Sequence, residues 1–292
     1  MNVVAPSRAN LLARCIFPPA GTLLVCAVSG GADSLALLVL ATAAGCDVTA
    51  VHVDHGLRPE SGREAEVVAQ AAARYAAGFH SVKVEIAAGG NLEARARAAR
   101  RAALPAGAAT GHTADDQAET ILLNLLRGAG LDGLAGMRPG PAKPILALRR
   151  SETHALCSAE GLVPVRDPSN ADPSFRRNRV RHELLPLLED IAERDMVPVL
   201  VRQAALLREE ADLLDQLSAG IDSADTGALG GAPPALARRA LRALLGVGDH
   251  PPSSAAVERV MAVARGEATA CEVEGGRRVA RSRGRLRVEP AE

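Results

Sequence analysis

An uninterrupted apolar run that leads into a glycine-rich turn restricts the fold of this 292-residue chain more than any other feature. Residues 22–28 are almost all apolar, which is typical of a strand buried on both faces of a parallel sheet. The turn follows directly as Ser-Gly-Gly-Ala-Asp-Ser at 29–34, and residues 35–44 are rich in alanine and leucine and end at a glycine. Strand, tight turn and helix in this order predict the first unit of a parallel α/β sheet.

More pairs of strand and helix follow this first unit. Apolar segments predict strands at 48–53, 81–86 and 106–110, and periodic segments predict helices at 60–77, 91–104 and 113–127. Because strands and helices of this length alternate, we expect an α/β fold built on a doubly wound parallel sheet. Beyond residue 150 the prediction is helical, with segments at 151–160 and 197–217.

A small-residue segment at 218–234, rich in glycine, alanine, serine and aspartate, is typical of a linker. The residues after it predict two helices, 235–246 and 253–265, and a pair of strands at 271–275 and 278–288. The length of the chain also favours more than one domain. We therefore predict an α/β domain at 1–215, with a helical extension, and a small α+β domain at 230–292.

Composition limits the partners of the chain. Its aromatic side chains are three phenylalanines and one tyrosine, which are few for a protein that stacks single-stranded bases on aromatic platforms. The formal net charge is zero, which argues against a protein that coats polyanions generally. All of the 34 basic residues except Lys83 and Lys143 are arginines, and two arginine-rich runs, 176–181 and 277–287, contain no acid. If nucleic acid binds, arginine must provide most of the contacts.

The five cysteines are scattered along the chain. Their spacing matches no zinc or iron–sulfur motif, and an odd count gives no complete disulfide framework. The N-terminus carries no signal-peptide pattern, and no apolar stretch is long enough to span a membrane. We expect a cytoplasmic protein that does not enter a membrane.

The turn at 29–34 has the chemistry of a phosphate site. Glycines allow the backbone to bend sharply and approach oxygen atoms, and the unpaired N–H groups at the start of the following helix favour an anion. Ser29 and Ser34 add hydroxyl groups. Asp33 would repel bare phosphate, so its presence favours a bridging Mg²⁺ ion or a contact with a protonated group. The alternative is an ordinary turn from strand to helix.

Two other nucleotide motifs do not account for the chain. A Walker A loop needs Gly-Lys followed by serine or threonine, and the chain contains no Gly-Lys pair. Residues 128–133 match G-x-G-x-x-G, but they follow a predicted helix instead of a strand. A dinucleotide-binding motif requires the strand, so we interpret this segment as a loop.

The string SGGADS resembles the SGGxDS signature of the PP-loop, or N-type, ATP pyrophosphatase superfamily, which has an adenine nucleotide α-hydrolase-like fold. Members of that superfamily release pyrophosphate and adenylate a substrate. The resemblance implies that ATP is used and that the leaving pyrophosphate is held by Ser29, Gly30, Gly31, Ala32, Asp33 and Ser34. A helix N-terminus and a metal ion can stabilise the charge that develops on pyrophosphate.

Five further strings resemble the tRNA(Ile)-lysidine synthase family and occur in its order. They are VDHGLR at 53–58, GHTADDQAET at 111–120, NLLRG at 124–128, DPSN at 167–170 and RNRVR at 177–181. The resemblance implies that ATP adenylates the C2 carbonyl oxygen of the wobble cytidine in tRNA(Ile) with a CAU anticodon, and that L-lysine then displaces AMP. It also implies a PP-loop catalytic domain at 1–215 and a tRNA-binding domain at 230–292. A homodimer remains an open alternative for the oligomeric state.

We expect the residues that bind the nucleotide, and two acidic residues, to follow the ends of two strands. Because the carboxyl ends of parallel strands form the ligand edge of a sheet, we expect His52, Val53, Asp54 and His112 to line the nucleotide site. Asp115 and Asp116 follow in the first turn of a helix, where acids also serve as ordinary caps. With Glu119 they exceed what capping needs, so we assign both aspartates a catalytic role in Mg²⁺ coordination or recognition of the lysine amine, with Asp33 and Asp116 as the metal ligands.

Arginines supply the remaining candidates. Arg100 lies where the family pattern reads Arg-Tyr, with Arg101 in place of the tyrosine, and is a candidate to stabilise transition-state charge. Arg177, Arg179 and Arg181 are candidates to contact phosphate or RNA, and we place Arg179 among the catalytic residues. A solvated helix face is the alternative. In the run at 277–287, arginines alternate with valine and leucine, which favours one core face and one basic face.

Three other functions stay open at this point. A tRNA 2-thiocytidine synthase resembles this chain but relies on paired cysteines, which the spacing here does not supply. A non-catalytic RNA-binding module would not need the acidic residues beside the loop. An amidotransferase-type adenylating enzyme would need an ammonia source, and no glutaminase segment is evident.

Overall fold

The structure is a computed structural model that describes residues 7–54, 61–84, 92–165, 168–246 and 252–290. The chain divides into two compact units, Met1–Ala205 and Leu206–Glu292. The domain boundaries expected from the sequence, 1–215 and 230–292, stay a prediction.

The first unit contains a four-stranded parallel sheet. Its strands are β1 (Leu23–Ala27), β2 (Asp47–Asp54), β3 (Gly78–Lys83) and β4 (Ala109–Thr110), and its helices are α1 (Arg8–Leu12), α2 (Ala32–Ala43), α3 (Ser61–Arg74), α4 (Leu92–Ala103), α5 (Ala114–Leu126), α6 (Leu131–Leu134), α7 (Arg150–Ala159), α8 (Arg176–Arg179) and α9 (Leu185–Ala192). The strand order is β3-β2-β1-β4. The predicted α/β class and parallel sheet are confirmed.

The core of this unit is aliphatic because the chain has so few aromatic residues. Helix α2 lies at its centre, and Leu35, Leu37, Leu38 and Leu40 are all fully buried. A helix that is apolar on every side is stable only when it is covered on every side. The strand β1 contributes Cys26, which is also fully buried. The loop that precedes α2 is therefore fixed between a central strand and a buried helix.

The second unit combines helices with a small antiparallel sheet. Helix α10 (Met196–Ala219) crosses the boundary between the units, and the rest comprises α11 (Thr226–Gly231), α12 (Pro234–Leu245), α13 (Ser254–Arg265), β5 (Ala270–Val273), β6 (Arg277–Ser282) and β7 (Arg285–Glu289). The strand order is β5-β6-β7. Leu241, Val260 and Val279, all fully buried, lie in its core.

Three local expectations were wrong. The third strand was predicted at 81–86, but β3 begins at Gly78 and pairs with β2 from Thr49 onward. The predicted linker contains α11, because the Asp225 carboxylate caps that helix by accepting the N–H groups of Gly227 and Ala228. The predicted strand at 278–288 is two strands, since Arg283 and Gly284 both adopt positive φ and form a two-residue hairpin turn.

No helix in the described ranges combines the length and the apolar character needed to cross a membrane.

Candidate active site

The candidate site lies where the strand order of the parallel sheet reverses. The chain runs from β1 outward to β2 and β3, and then crosses to β4 on the other side of β1. In open α/β sheets, ligands bind at the carboxyl edge beside such a reversal, because the two neighbouring loops diverge there. The loops after β1 and β4 are residues 28–31 and 111–113. They carry the glycine-rich turn and His112.

The turn at 29–34 is organised as an open helix N-terminus. Gly31 is the N-cap residue of α2, and no side chain caps that helix. Gly30 adopts φ +81°, a conformation that favours glycine. The Ser34 hydroxyl donates to the Gly31 carbonyl at 2.9 Å and accepts the Ser29 N–H at 3.1 Å, which fixes the curvature of the turn. The first N–H groups of α2 are therefore available to an anion.

Two other helix N-termini of the site, those of α5 and α7, are already capped by carboxylates. In α5 the Asp116 carboxylate accepts both the N–H and the hydroxyl of Thr113 at 2.9 Å. In α7 the Asp115 carboxylate accepts the Arg150 N–H at 2.7 Å, and Glu152 accepts the Arg149 N–H at 2.8 Å. Of these three described helices, α2 has the N-terminus that suits phosphate.

Gly111 brings the end of β4 against this turn. A Cβ atom at Gly111 would lie 2.7 Å from the Asp33 carbonyl oxygen and 2.9 Å from the Ser34 nitrogen. Both are backbone atoms, which cannot rotate away as the end of a flexible side chain can. A side chain at residue 111 is therefore incompatible with this position of the turn.

Asp33 lies in the first turn of α2 and contacts α7. Its carboxylate accepts a hydrogen bond from the Thr153 hydroxyl and lies 3.5 Å from Nε of Arg150. Burial raises the pKa of Asp33 above the ordinary aspartate value, while Thr153 and Arg150 act in the opposite direction. A quarter of the side chain stays exposed. Asp33 thus joins the turn to the residues described next.

Three arginines and two acids form an arginine–carboxylate cluster beside the turn: Asp116, Glu119, Arg150, Arg177 and Arg181. Glu119 is fully buried. It accepts hydrogen bonds from Nε of Arg181 at 2.6 Å and Nε of Arg177 at 2.7 Å, and Arg150 approaches it at 3.2 Å. Buried charges need such partners, since a lone carboxylate out of water is costly.

Asp116 is the second acid of the cluster. Arg150 donates to its Oδ1 atom at 3.1 Å and Arg177 at 3.3 Å. Burial raises the pKa of Asp116, but Arg150, Arg177 and the Thr113 N–H outweigh burial, so the pKa lies below the ordinary aspartate value. Asp116 is therefore held as a carboxylate.

The predicted site residues on α5 and α8 thus have distinct environments. Asp115 accepts hydrogen bonds from Nε and Nη2 of Arg149, both at 3.2 Å. Arg179 is exposed and pairs with Glu183 on its own helical segment at 2.8 Å. Arg177 and Arg181 contact Glu119 instead of facing solvent, because α8 continues into a π-helical turn at Val180–Leu184 that packs against α5.

The predicted nucleotide residues occupy the ends of β2 and β4. His52 is buried, its Nδ1 atom lies 3.0 Å from the Val28 carbonyl oxygen, and its Nε2 atom is buried without a described hydrogen-bond partner. Val53 and Asp54, half-buried, end the strand. His112 Nδ1 lies 2.7 Å from the Thr110 hydroxyl. His52 therefore links β2 to the residue that precedes the glycine-rich turn.

Some predicted residues lie outside what is described. Arg100 belongs to α4, but its side chain is outside the described residues. Residues 55–58 of the VDHGLR string and Asp167 of the DPSN string are also outside them.

In the C-terminal run at 277–287, Val279 and Leu286 are buried whereas Arg278, Arg281 and Arg287 are exposed.

The arginines at 149 and 150, together with Thr153, are site residues that the sequence analysis missed. Their segment lies well beyond the last predicted strand of the sheet, at the beginning of the short helix predicted at 151–160. The one available signal was the Arg-Arg pair itself, which a chain so rich in arginine does not distinguish.

The two predicted magnesium ligands differ in how well they fit the ion. Mg²⁺ beside nucleotide phosphates needs only one or two carboxylates. Asp33 fits, because it lies at the open N-terminus of α2 and part of its side chain is exposed. Asp116 does not fit in this arrangement, because Thr113, Arg150 and Arg177 together occupy its four acceptor positions. No group of three or more potential metal ligands occurs among the described residues.

Comparison with known proteins agrees with this architecture. The PP-loop domain family model matches residues 7–188, and the TilS substrate binding domain matches residues 225–287. In solved structures, the U34-tRNA thiolase NcsA of Methanococcus maripaludis is similar in fold, with a TM-score of 0.55 and 16% identity over 69% of this chain and 78% of that chain.

Curated relatives extend over both units. The tRNA(Ile)-lysidine synthase of Nocardia farcinica is 42% identical over 92% of this chain and 92% of its own length. The tRNA(Ile)-lysidine synthase of Thermobifida fusca is 39% identical over 85% of this chain and 84% of its own length. The resemblance inferred from the motifs is thereby confirmed, and the chain belongs to the tRNA(Ile)-lysidine synthase family.

Proposed function

We propose that the protein is an ATP-dependent ligase that joins L-lysine to C2 of the wobble cytidine in tRNA(Ile) with a CAU anticodon. The C2 carbonyl oxygen attacks the α-phosphate of ATP, and pyrophosphate leaves. The ε-ammonium group of lysine then loses a proton, the resulting amine attacks C2, and AMP leaves as lysidine forms. The observation that carries the proposal is the uncapped N-terminus of α2, with Asp33 beside the arginine–carboxylate cluster, in a member of this family.

In this proposal the glycine-rich turn binds the pyrophosphate group of ATP as it leaves the α-phosphate. The N–H groups of Ala32, Asp33 and Ser34 and the hydroxyl of Ser29 hold it, and the positive end of α2 stabilises its charge. Mg²⁺ at Asp33 would neutralise further negative charge on the phosphates. Arg100 stays a candidate for the same task from α4. His52, Val53, Asp54 and His112 line the adenosine side.

Lysine is recognised by the acids of α5. A free amino acid carries an ammonium and a carboxylate, and the arginine–carboxylate cluster offers both charges within one small volume. Asp116 and Glu119 suit the ammonium once a guanidinium group that contacts them has moved away, and the remaining guanidinium groups suit the carboxylate. Asp115 holds the N-terminus of α7 in place, which positions Arg149 and Arg150.

The tRNA contacts are assigned to exposed arginines. Arg278, Arg281 and Arg287 of the small sheet and Arg179 near the site carry the positive charge that a phosphate backbone requires. A domain at 230–292 thus serves tRNA binding, and two copies of the chain forming a homodimer would present two such surfaces.

A single assay tests the function. The protein is incubated with Mg²⁺–ATP, labelled lysine and tRNA(Ile) with a CAU anticodon, and label in RNA and pyrophosphate are measured together. We expect both to accumulate in equal amounts. The control is tRNA(Ile) with a GAU anticodon, which has no wobble cytidine. ATP turnover without lysine transfer contradicts the proposal, and sulfur transfer to cytidine would instead support the thiolation alternative.

Replacing Gly111 with alanine is expected to slow pyrophosphate release without unfolding the protein. The added Cβ must displace the backbone of Asp33 or Ser34, and displacing a catalytic group by about 1 Å costs on the order of 10²-fold in rate. The matched control is Gly130→Ala, where a Cβ meets open space and φ is −80°. Equal rates for the two variants would contradict the close approach of β4 to the turn.

Replacing Arg179 with alanine is expected to leave the denaturation midpoint unchanged, because its ion pair with Glu183 is exposed to solvent. The affinity for tRNA should fall, and the salt dependence of binding should become weaker by about one phosphate contact. Fluorescence anisotropy with labelled tRNA at several salt concentrations measures both quantities. An unchanged affinity and salt dependence would remove Arg179 from the RNA contacts.

A further inference from the structure

Arg150 connects the glycine-rich turn to the acids of α5. It is the first residue of α7, and its guanidinium group lies 3.5 Å from Asp33, 3.1 Å from Asp116 and 3.2 Å from Glu119. Arg177 and Arg181 contact Asp116 and Glu119. Within the described cluster, Arg150 is the arginine that also reaches Asp33.

The charges of this assembly balance without any ligand. Three carboxylates, Asp33, Asp116 and Glu119, face three guanidinium groups, Arg150, Arg177 and Arg181. A lysine ammonium that approaches Asp116 or Glu119 therefore meets positions that arginine already occupies. Because desolvated like charges repel strongly, an added cation can enter only when one guanidinium group withdraws.

ATP supplies a reason for Arg150 to withdraw. Triphosphate at the N-terminus of α2 adds negative charge directly beside Asp33, and a guanidinium fork binds phosphate oxygens in pairs. The contact between Arg150 and Asp33 is the longest of its three carboxylate contacts at 3.5 Å. Arg150 is thus the guanidinium group of the cluster nearest to the turn, and phosphate must compete with its shorter contacts to Asp116 and Glu119 for it to move.

We propose that Arg150 couples the two substrate sites: it occupies the lysine-ammonium position in the empty enzyme and turns to the phosphates when ATP binds. Nucleotide and lysine then bind with positive coupling. One guanidinium group cannot contact the acids of α5 and the phosphates at the same time, so ATP binding frees the acids for lysine. This inference rests on the proposed function, because it takes lysine and ATP as the two ligands.

Equilibrium dialysis with radiolabelled lysine tests the coupling. The Kd of lysine is measured with and without Mg²⁺ and α,β-methylene-ATP, which resists cleavage at the bond that the reaction breaks. For the wild type we expect about 5- to 150-fold tighter lysine binding in the presence of the nucleotide. For Arg150→Gln we expect tight lysine binding under both conditions. Arg8→Gln is the control: it removes an arginine that pairs with Glu160 elsewhere in the first unit, and should behave as wild type.

Each result decides between the alternatives. A wild-type Kd that does not change with nucleotide, or is unmeasurable under both conditions, overturns the coupling, and so does coupling that persists in Arg150→Gln. If circular dichroism shows that Arg150→Gln is unfolded, Arg150→Lys replaces it, and its coupling should fall because ammonium lacks the paired geometry. If the wild type transfers lysine to tRNA but shows no coupling, this inference alone is overturned. If lysine binding is coupled to nucleotide but no lysine is transferred to tRNA, the proposed function is overturned.

Discussion

Replacing Asp33 with alanine is expected to abolish pyrophosphate release and leave the fold intact. Asp33 lies at the uncapped end of α2, where the nucleotide phosphates and Mg²⁺ are proposed to bind. Removing one group that stabilises transition-state charge typically costs about 10²–10³-fold in rate. Release of labelled pyrophosphate with tRNA(Ile) and ATP measures the effect. A variant that keeps more than about a tenth of the wild-type rate would contradict the role of Asp33.

Asp33→Asn is the matched control for this prediction. The amide keeps the size of the side chain and an oxygen that can accept the Thr153 hydrogen bond. Burial raises the pKa of Asp33 in the folded protein above its value in the unfolded chain. Above the folded pKa, the ionised carboxylate therefore lowers the free energy of unfolding. At neutral pH the asparagine variant should therefore be at least as stable as wild type, and the difference should shrink as the pH falls through the folded pKa. Thermal melting at two pH values measures this.

Replacing Glu119 with alanine is expected to give the largest loss of stability. Glu119 is fully buried and holds Arg150, Arg177 and Arg181 together. Removing one partner of a buried ion pair costs about 3–5 kcal/mol, because the opposite charges stay behind without compensation. Urea denaturation measures the change, and the loss should appear in the transition of the first unit. Lysine transfer should be lost as well, since the proposed ammonium site loses one of its acids.

Two controls accompany Glu119→Ala. Glu119→Gln removes the charge and keeps one acceptor oxygen, but its NH2 group cannot accept from an arginine, so its stability should lie between those of the alanine variant and wild type. Glu183→Ala removes the exposed partner of Arg179, and should leave the denaturation midpoint unchanged. A loss for Glu119→Ala below about 1 kcal/mol, the size of a surface substitution, would mean that the three arginines reach solvent once the acid is gone.

The parallel sheet was predictable because its signals are local. The apolar run that forms β1, the Gly-Gly turn and the apolar helix α2 each follow from neighbouring residues. The hairpin at Arg283 and Gly284 was missed for the opposite reason. Arginine at positive φ is uncommon, so a two-residue turn begun by arginine carries little sequence signal.

The candidate site was predictable only in part. Asp33, Asp115, Asp116 and His112 follow strands whose ends meet at one edge, and their grouping follows from the topology. The partners of Glu119 did not follow from the sequence. The acid-free arginine run at 176–181 gave no local reason to expect that Arg177 and Arg181 contact a buried acid of α5.

The sequence by itself determined the glycine-rich turn between β1 and α2, since glycine conformation, serine hydroxyls and an uncapped helix N-terminus are properties of contiguous residues. It also determined the family, because the motifs and their order along the chain can be read without a structure. The tertiary structure alone decided which charges meet. Arg150 contacts Asp33, Asp116 and Glu119 across more than thirty residues of chain because α7 packs against α2 and its first turn lies beside α5. Electrostatic pairing depends on distance in space, which residue spacing along the chain does not encode.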